Sequence, residues 1–156
     1  MAKRKAFTAT GIIVGILVLL VLMQFIRIDK TNPPVDPAKE FVTIANPPQD
    51  VTLILRESCY DCHSNTTKYP WYSNVAPVSW FLKNHIDEGR RELNFSEWGS
   101  YTAKKANHKL EEAIELVENG EMPMTSYTLL HAEAKLTKEE KEKLISWLKT
   151  YKSTGS

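Results

Sequence analysis

Both cysteines of the chain fall in one pentapeptide, Cys59-Tyr60-Asp61-Cys62-His63, and this stretch constrains the fold more than any other. On a helical turn Cys59 lies three residues from Cys62 and four from His63, so the three side chains share one face. A single flat ligand can meet all of them there. Covalent haem attachment asks for this arrangement: two thiols add to the two vinyl groups, and the imidazole beside the second thioether takes the iron. A chain built around such a ligand must place a helical turn at the motif and bring the opposite wall of the pocket from elsewhere.

Other uses of the same residues are less well served. Structural zinc wants four ligands, commonly two cysteine pairs, and no second pair exists. A thioredoxin-like dithiol belongs in a strand-helix-strand context, for which no alternating segment is present. A disulfide across two intervening residues is strained and closes little chain entropy.

The charge pattern narrows the partners. Twenty lysines and arginines are interleaved with 19 acids for a net charge of +1, so no basic field is available for nucleic acid. The apolar content, 42% overall, is concentrated at the start. From Gly11 to Phe25 the chain is almost wholly aliphatic, within an uncharged run that ends at Arg27. About 20 residues rising about 1.5 Å each cross the roughly 30 Å hydrocarbon layer. Lys3, Arg4 and Lys5 precede the run and orient its start to the cytoplasm. No small-x-small cleavage site follows, which favours an uncleaved anchor over a signal peptide. Residues 1–28 are therefore expected as a single-pass transmembrane helix in the cytoplasmic (inner) membrane, with the rest of the chain on the periplasmic side.

Residues 29–48 hold five of the eight prolines and read as an extended linker. Residues 49–156 read as one all-α domain, since no segment alternates apolar and polar residues. A first helix runs into the motif with Val51, Ile54 and Leu55 at helical spacing. A second starts near Pro77 and carries Val78, Phe81, Leu82, His85 and Ile86 as its stripe. A third ends at Asn119-Gly120. The last starts at a Thr137/Glu140 capping box, with Leu144, Ile145, Leu148 and Tyr151 turned inward. The expected architecture is a small cytochrome c-like helical domain around one covalent haem, preceded by the anchor.

Iron has a second axial position. Met122 and Met124 flank Pro123 just beyond a helix stop, where a thioether is presented from a loop. Residues two apart in an extended segment point the same way, so spacing does not choose between them. His85 sits on an apolar stripe, where a hydrogen-bonded core histidine is the commoner outcome, and His108 and His131 read as surface or loop residues. Trp71, Tyr72 and Trp80 follow the motif closely and are candidates for stacking on the porphyrin or edging it. Arg90 and Arg91 are candidates for the propionates.

The stretch "CYDCHSNTTKYPWYSNVAPVSWFLKNHIDEGRRELNFSEW", together with "GEMPMTSYTLLHAEAKLTKEEKEKLISWLK", resembles the bacterial haem-binding domain family of c-type-like proteins, over about Glu40 to Lys149. The resemblance implies haem c, with thioethers at Cys59 and Cys62 and iron held by His63. It favours Met122 as the distal ligand, although Met124 stands where the family usually has a second proline. Two protein ligands leave iron no site for substrate, so the expected role is electron transfer to or from a redox partner protein rather than catalysis. The alternative is a haem-based sensor, or a domain binding gas or peroxide, with an open or labile sixth position.

Overall fold

The computed structural model describes residues 2–154, with side chains from Thr8 onward, and all regular structure among them is helical. The chain forms two compact units. One joins the residues up to Thr31 with Tyr69–His85, and the other joins Asn32–Lys68 with Ile86 onward.

The first unit is built on α1 (Ala2–Met23), a helix with no acidic residue in its first turn and no basic residue in its last. Its large apolar side chains from Ile12 to Leu22 are all exposed. Among the described residues no helix is long and apolar enough to cross a membrane, the described side chains of α1 beginning at Thr8. The helix closes through Gln24, whose side-chain amide donates to Leu20 O at 2.8 Å and to Ala76 O at 2.9 Å. Ala76 N–H donates back to Gln24 Oε1 at 3.0 Å. This reciprocal pair joins residues 52 positions apart and pins the 69–85 segment to the end of α1.

The second unit carries the main core. Its first helical element, α2 (Phe41–Ala45), lies inside the stretch expected as a linker. Phe41 is fully buried, with the rings of Phe95, Trp98, Tyr151 and Trp147 at 5.2, 4.7, 5.6 and 6.0 Å. Glu40 beside it is also buried and accepts hydrogen bonds from Ser96 Oγ and, at 3.4 Å, from Tyr60 Oη. Prolines at 47 and 48 stop a helix but do not prevent the five residues before them from packing, and a Phe shielded by four rings outweighs the local preference for extension.

The helices that follow match their sequence signals closely. In α3 (Gln49–Ser58) Val51, Ile54 and Leu55 are the buried side chains, and Asp50 sits favourably in the first turn. The motif forms α4 (Tyr60–His63) directly after it. In α5 (Val78–Glu92) the expected stripe divides: Leu82 and Ile86 are buried together with Ser79, while Val78 and Phe81 stay exposed. The reason is geometric, since 79, 82, 86 and 89 form one line on a helix and 78, 81 and 85 form its neighbour.

Thr102 caps α6 (Ala103–Glu118), whose buried line is Ala106, Leu110, Ile114 and Val117. Gly120, at φ 73°, turns the chain so that Glu121 N–H reaches Leu116 O at 2.9 Å, the closure that favours glycine. The short α7 (Thr125–Thr128) and a 3₁₀ turn at Ala132–Ala134 occupy the next loop. Both halves of the Thr137/Glu140 capping box are made at the start of α8 (Lys138–Ser153). Leu144 and Leu148 are its buried residues, with Ile145 and Tyr151 half-buried, and it packs against α6 and α3.

Candidate haem site

The α3 helix breaks at Cys59, whose backbone (φ −124°, ψ −40°) leaves the helical region while its carbonyl starts a new turn. Cys62 N–H and His63 N–H both donate to Cys59 O, at 3.2 and 2.9 Å. The motif is thus a single helical turn, and Cys59, Cys62 and His63 share a face as their spacing predicts. Ser64, in extended backbone, ends the turn, and its hydroxyl donates to Tyr60 O at 2.7 Å.

The loop after the turn is tied down from several sides. Thr67 Oγ1 donates to Asp61 O at 2.6 Å, and Asp61 Oδ1 accepts from Lys68 N–H at 2.9 Å. Arg90 spans the loop: its Nε donates to Ser64 O at 2.7 Å, and one Nη donates to Thr67 Oγ1 and Asn32 Oδ1 at 2.8 and 2.7 Å. The guanidinium considered for propionate binding therefore spends these donors on holding the motif loop. Arg91 is exposed and lies 3.7 Å from Glu88 on the same helix.

His63 is half-buried on this turn, and its ring is fixed by two backbone carbonyls. Its Nδ1 lies 3.0 Å from both Gly89 O and Leu93 O, at the end of α5. Carbonyl oxygens only accept, so Nδ1 carries the proton and the lone pair belongs to Nε2. Burial lowers the imidazole pKa, and the two carbonyls only partly offset this, so the ring is neutral at neutral pH. A neutral imidazole with Nδ1–H on backbone carbonyls and Nε2 unprotonated is the form that ligates metal.

Cys59 and Cys62 are both unpaired thiols, half-buried. Burial, with a smaller contribution from the neighbouring Cys62, pushes the Cys59 thiol up to about 12. Burial and then Asp61 raise Cys62 to about 11, against a partial offset by Arg90. Both are protonated at neutral pH, unlike the thiolates of exchange-active dithiols. Among the described residues no three His, Cys, Asp or Glu side chains gather as they do around a bare metal ion.

The family model for the haem-binding domain matches residues 18–150. The chain belongs to the haem-binding domain family. No curated protein and no solved structure matches it.

The donor set of this haem-binding domain fits the group: two protonated thiols and an imidazole with a defined lone pair stand on one helical turn. The sequence did not flag the backbone that makes this possible. A Cβ on Gly89 would stand 2.8 Å from Cys62 O and 3.2 Å from its carbonyl carbon, so α5 reaches the motif only because residue 89 has no side chain. Alanine at a helix interior normally stabilises by about 1 kcal/mol over glycine. Here the collision is with backbone, and we expect Gly89→Ala to cost roughly 1–3 kcal/mol, the range for overpacking. Denaturant unfolding of the haem-loaded protein checks this, and a stabilised variant would contradict the close approach.

The methionine segment is brought to the same unit as the motif. Met122 is half-buried, packs on the core cluster that Cys59 also contacts, and has its N–H on Leu116 O at 3.1 Å. Met124, also half-buried, precedes α7 in extended backbone. Tyr127 Oη then donates to Asp61 Oδ2 at 2.7 Å, joining α7 to the residue between the two cysteines. A tyrosine after a Met-Pro-Met loop carries no sequence signal for that bond.

The aromatic candidates Trp71, Tyr72 and Trp80 belong to the first unit. Trp71 is exposed and meets buried Tyr72 edge-on at 5.8 Å, while Trp80 Nε1 donates to Ile26 O at 2.9 Å. Of the other histidines, His85 directs Nδ1 to Phe81 O at 2.8 Å, as a helix-bound imidazole does. His108 pairs with Glu112 at 3.2 Å, and His131 stacks on Tyr127 at 4.2 Å with Glu133 at 3.1 Å.

Proposed function

We propose that this haem-binding domain is a membrane-anchored monohaem c-type cytochrome domain that carries single electrons for a redox partner protein on the periplasmic face of the inner membrane. Cys59 and Cys62 form the thioethers to haem c, His63 is the proximal iron ligand and Met122 the distal one, with Met124 as the alternative. The observation that carries the reading is the tautomer of His63, set by Gly89 O and Leu93 O on the turn that also presents both thiols. Haem c supplies a one-electron couple whose potential axial ligands shift over about 0.8 V, methionine raising it.

The chain's own residues do the rest. The thiols retain the group permanently, Arg90 and Thr67 hold the motif loop in place, and the Asp61–Tyr127 bond couples that loop to the methionine segment. Closing both axial positions with side chains leaves no site for substrate, which suits a carrier. Support for the anchor is the uncharged run that ends at Arg27, the three cations before it and the exposure of its apolar side chains from Ile12 to Leu22.

The test is the spectrum of the full chain produced with a cytochrome c maturation system. We expect low-spin bands when reduced and, when oxidised, a far-red methionine-to-iron charge-transfer band that Met122→Ala removes and Met124→Ala leaves. A high-spin reduced form that binds carbon monoxide at once would overturn the carrier in favour of a sensor or small-ligand binder.

A further inference from the structure

The first unit keeps an unusual amount of apolar surface in water. Phe25 and Ile26, just after α1, are 79% and 63% exposed, and Trp71, Val75, Val78 and Phe81 are 77%, 41%, 44% and 57% exposed. Isolated exposed hydrophobes are ordinary in proteins, but two tryptophan- or phenylalanine-bearing stretches in one small unit are not.

These stretches are tied to one another. Gln24 and Ala76 exchange two hydrogen bonds, at 2.9 and 3.0 Å. Trp80 Nε1 donates to Ile26 O at 2.9 Å, and Lys30 Nζ donates to Asn74 Oδ1 at 2.6 Å. The segment carrying Trp71, Val75, Val78 and Phe81 is therefore fastened at three points, Gln24, Ile26 and Lys30, to the seven residues that follow α1. It cannot stand off from the level at which that helix ends. Exposed Arg27 and Lys30, with Asp29 between them, mark the same level with a net positive charge.

We propose that Phe25, Ile26, Trp71, Val75, Val78 and Phe81 sit in the headgroup–acyl boundary of the bilayer where α1 emerges, so that the 69–85 segment is a second membrane contact. The inference rests on the reading of α1 as the anchor. The occupant is lipid because the surface is continuous along the chain with the exposed aliphatic side chains up to Leu22. Aromatic rings flanked by cations are the composition of an interfacial belt, where rings meet the acyl boundary and cations meet phosphates. A segment held there is fixed in depth and tilt relative to the bilayer, which a flexible tether would not achieve.

The experiment uses the full haem-loaded chain in nanodiscs of phosphatidylethanolamine and phosphatidylglycerol doped with a diazirine-bearing phospholipid. After irradiation, adducts are mapped on the α1 peptides and on the tryptic peptide Tyr69–Lys83. Adducts on both are expected, and the Val75→Ser/Phe81→Ser variant should lower the yield on Tyr69–Lys83 several-fold while the α1 yield is unchanged. Adducts on α1 alone would overturn the second contact and leave the anchor standing. Adducts on neither would remove the anchor reading and this inference with it. Lipid adducts on Tyr69–Lys83 in nanodiscs holding one copy of the chain, lost in nanodiscs holding two, would assign the surface to a second copy and overturn the proposal.

Discussion

Replacing Cys59 and Cys62 together by alanine is expected to abolish haem staining of the protein on a denaturing gel. Only covalent haem survives denaturation, and these are the only two thiols in the chain. Either single variant retains one partner for one vinyl group and should stain more weakly than the parent, not at zero. The double variant keeps His63, whose Nδ1 contacts to Gly89 O and Leu93 O involve no cysteine side chain, so haem held by coordination alone can still copurify under native conditions. The gel separates the two kinds of retention. Staining of the double variant, or its absence from the parent after maturation, would count against thioether attachment.

The second large effect is on stability. Phe41→Ala should destabilise the protein by about 3–5 kcal/mol, the range for emptying a fully buried aromatic site. For a domain of this size that lowers the thermal midpoint on the order of 10 °C. Phe41 has no exposed surface and contacts rings from the Phe95–Ser100 turn and from α8, so its removal opens space that several elements share. Leu53→Ala, at a half-exposed position of α3, is the control and should cost well under 1 kcal/mol. A Phe41→Ala midpoint within a few degrees of the control would mean that the proline-rich stretch behaves as the linker its composition suggests.

That contrast marks where sequence reasoning worked and where it stopped. The capping box at Thr137, the Gly120 stop and the inward faces of α3 and α6 come from interactions within four or five residues, and they are legible because their partners are near in sequence. The α5 stripe divides in the structure because adjacent lines on a helix surface are equally apolar there, and only the neighbouring elements select between them. Phe41 reads as linker in the sequence because local proline content says nothing about four rings supplied from 54 to 110 residues further on.

At the site, the order Cys59, Cys62, His63 by itself determined that two thiols and an imidazole would share the face of one helical turn, because helical spacing is local. Membership of the haem-binding domain family follows from the same chain. Which nitrogen of His63 carries its proton was decided only by tertiary structure, through carbonyls 26 and 30 residues away at the end of α5. So was the need for glycine at position 89, and the bond from Tyr127 to Asp61, which spans 66 residues. Backbone acceptors and close approaches have no residue type of their own, and a sequence can announce a ligand set but not the scaffold that sets its proton.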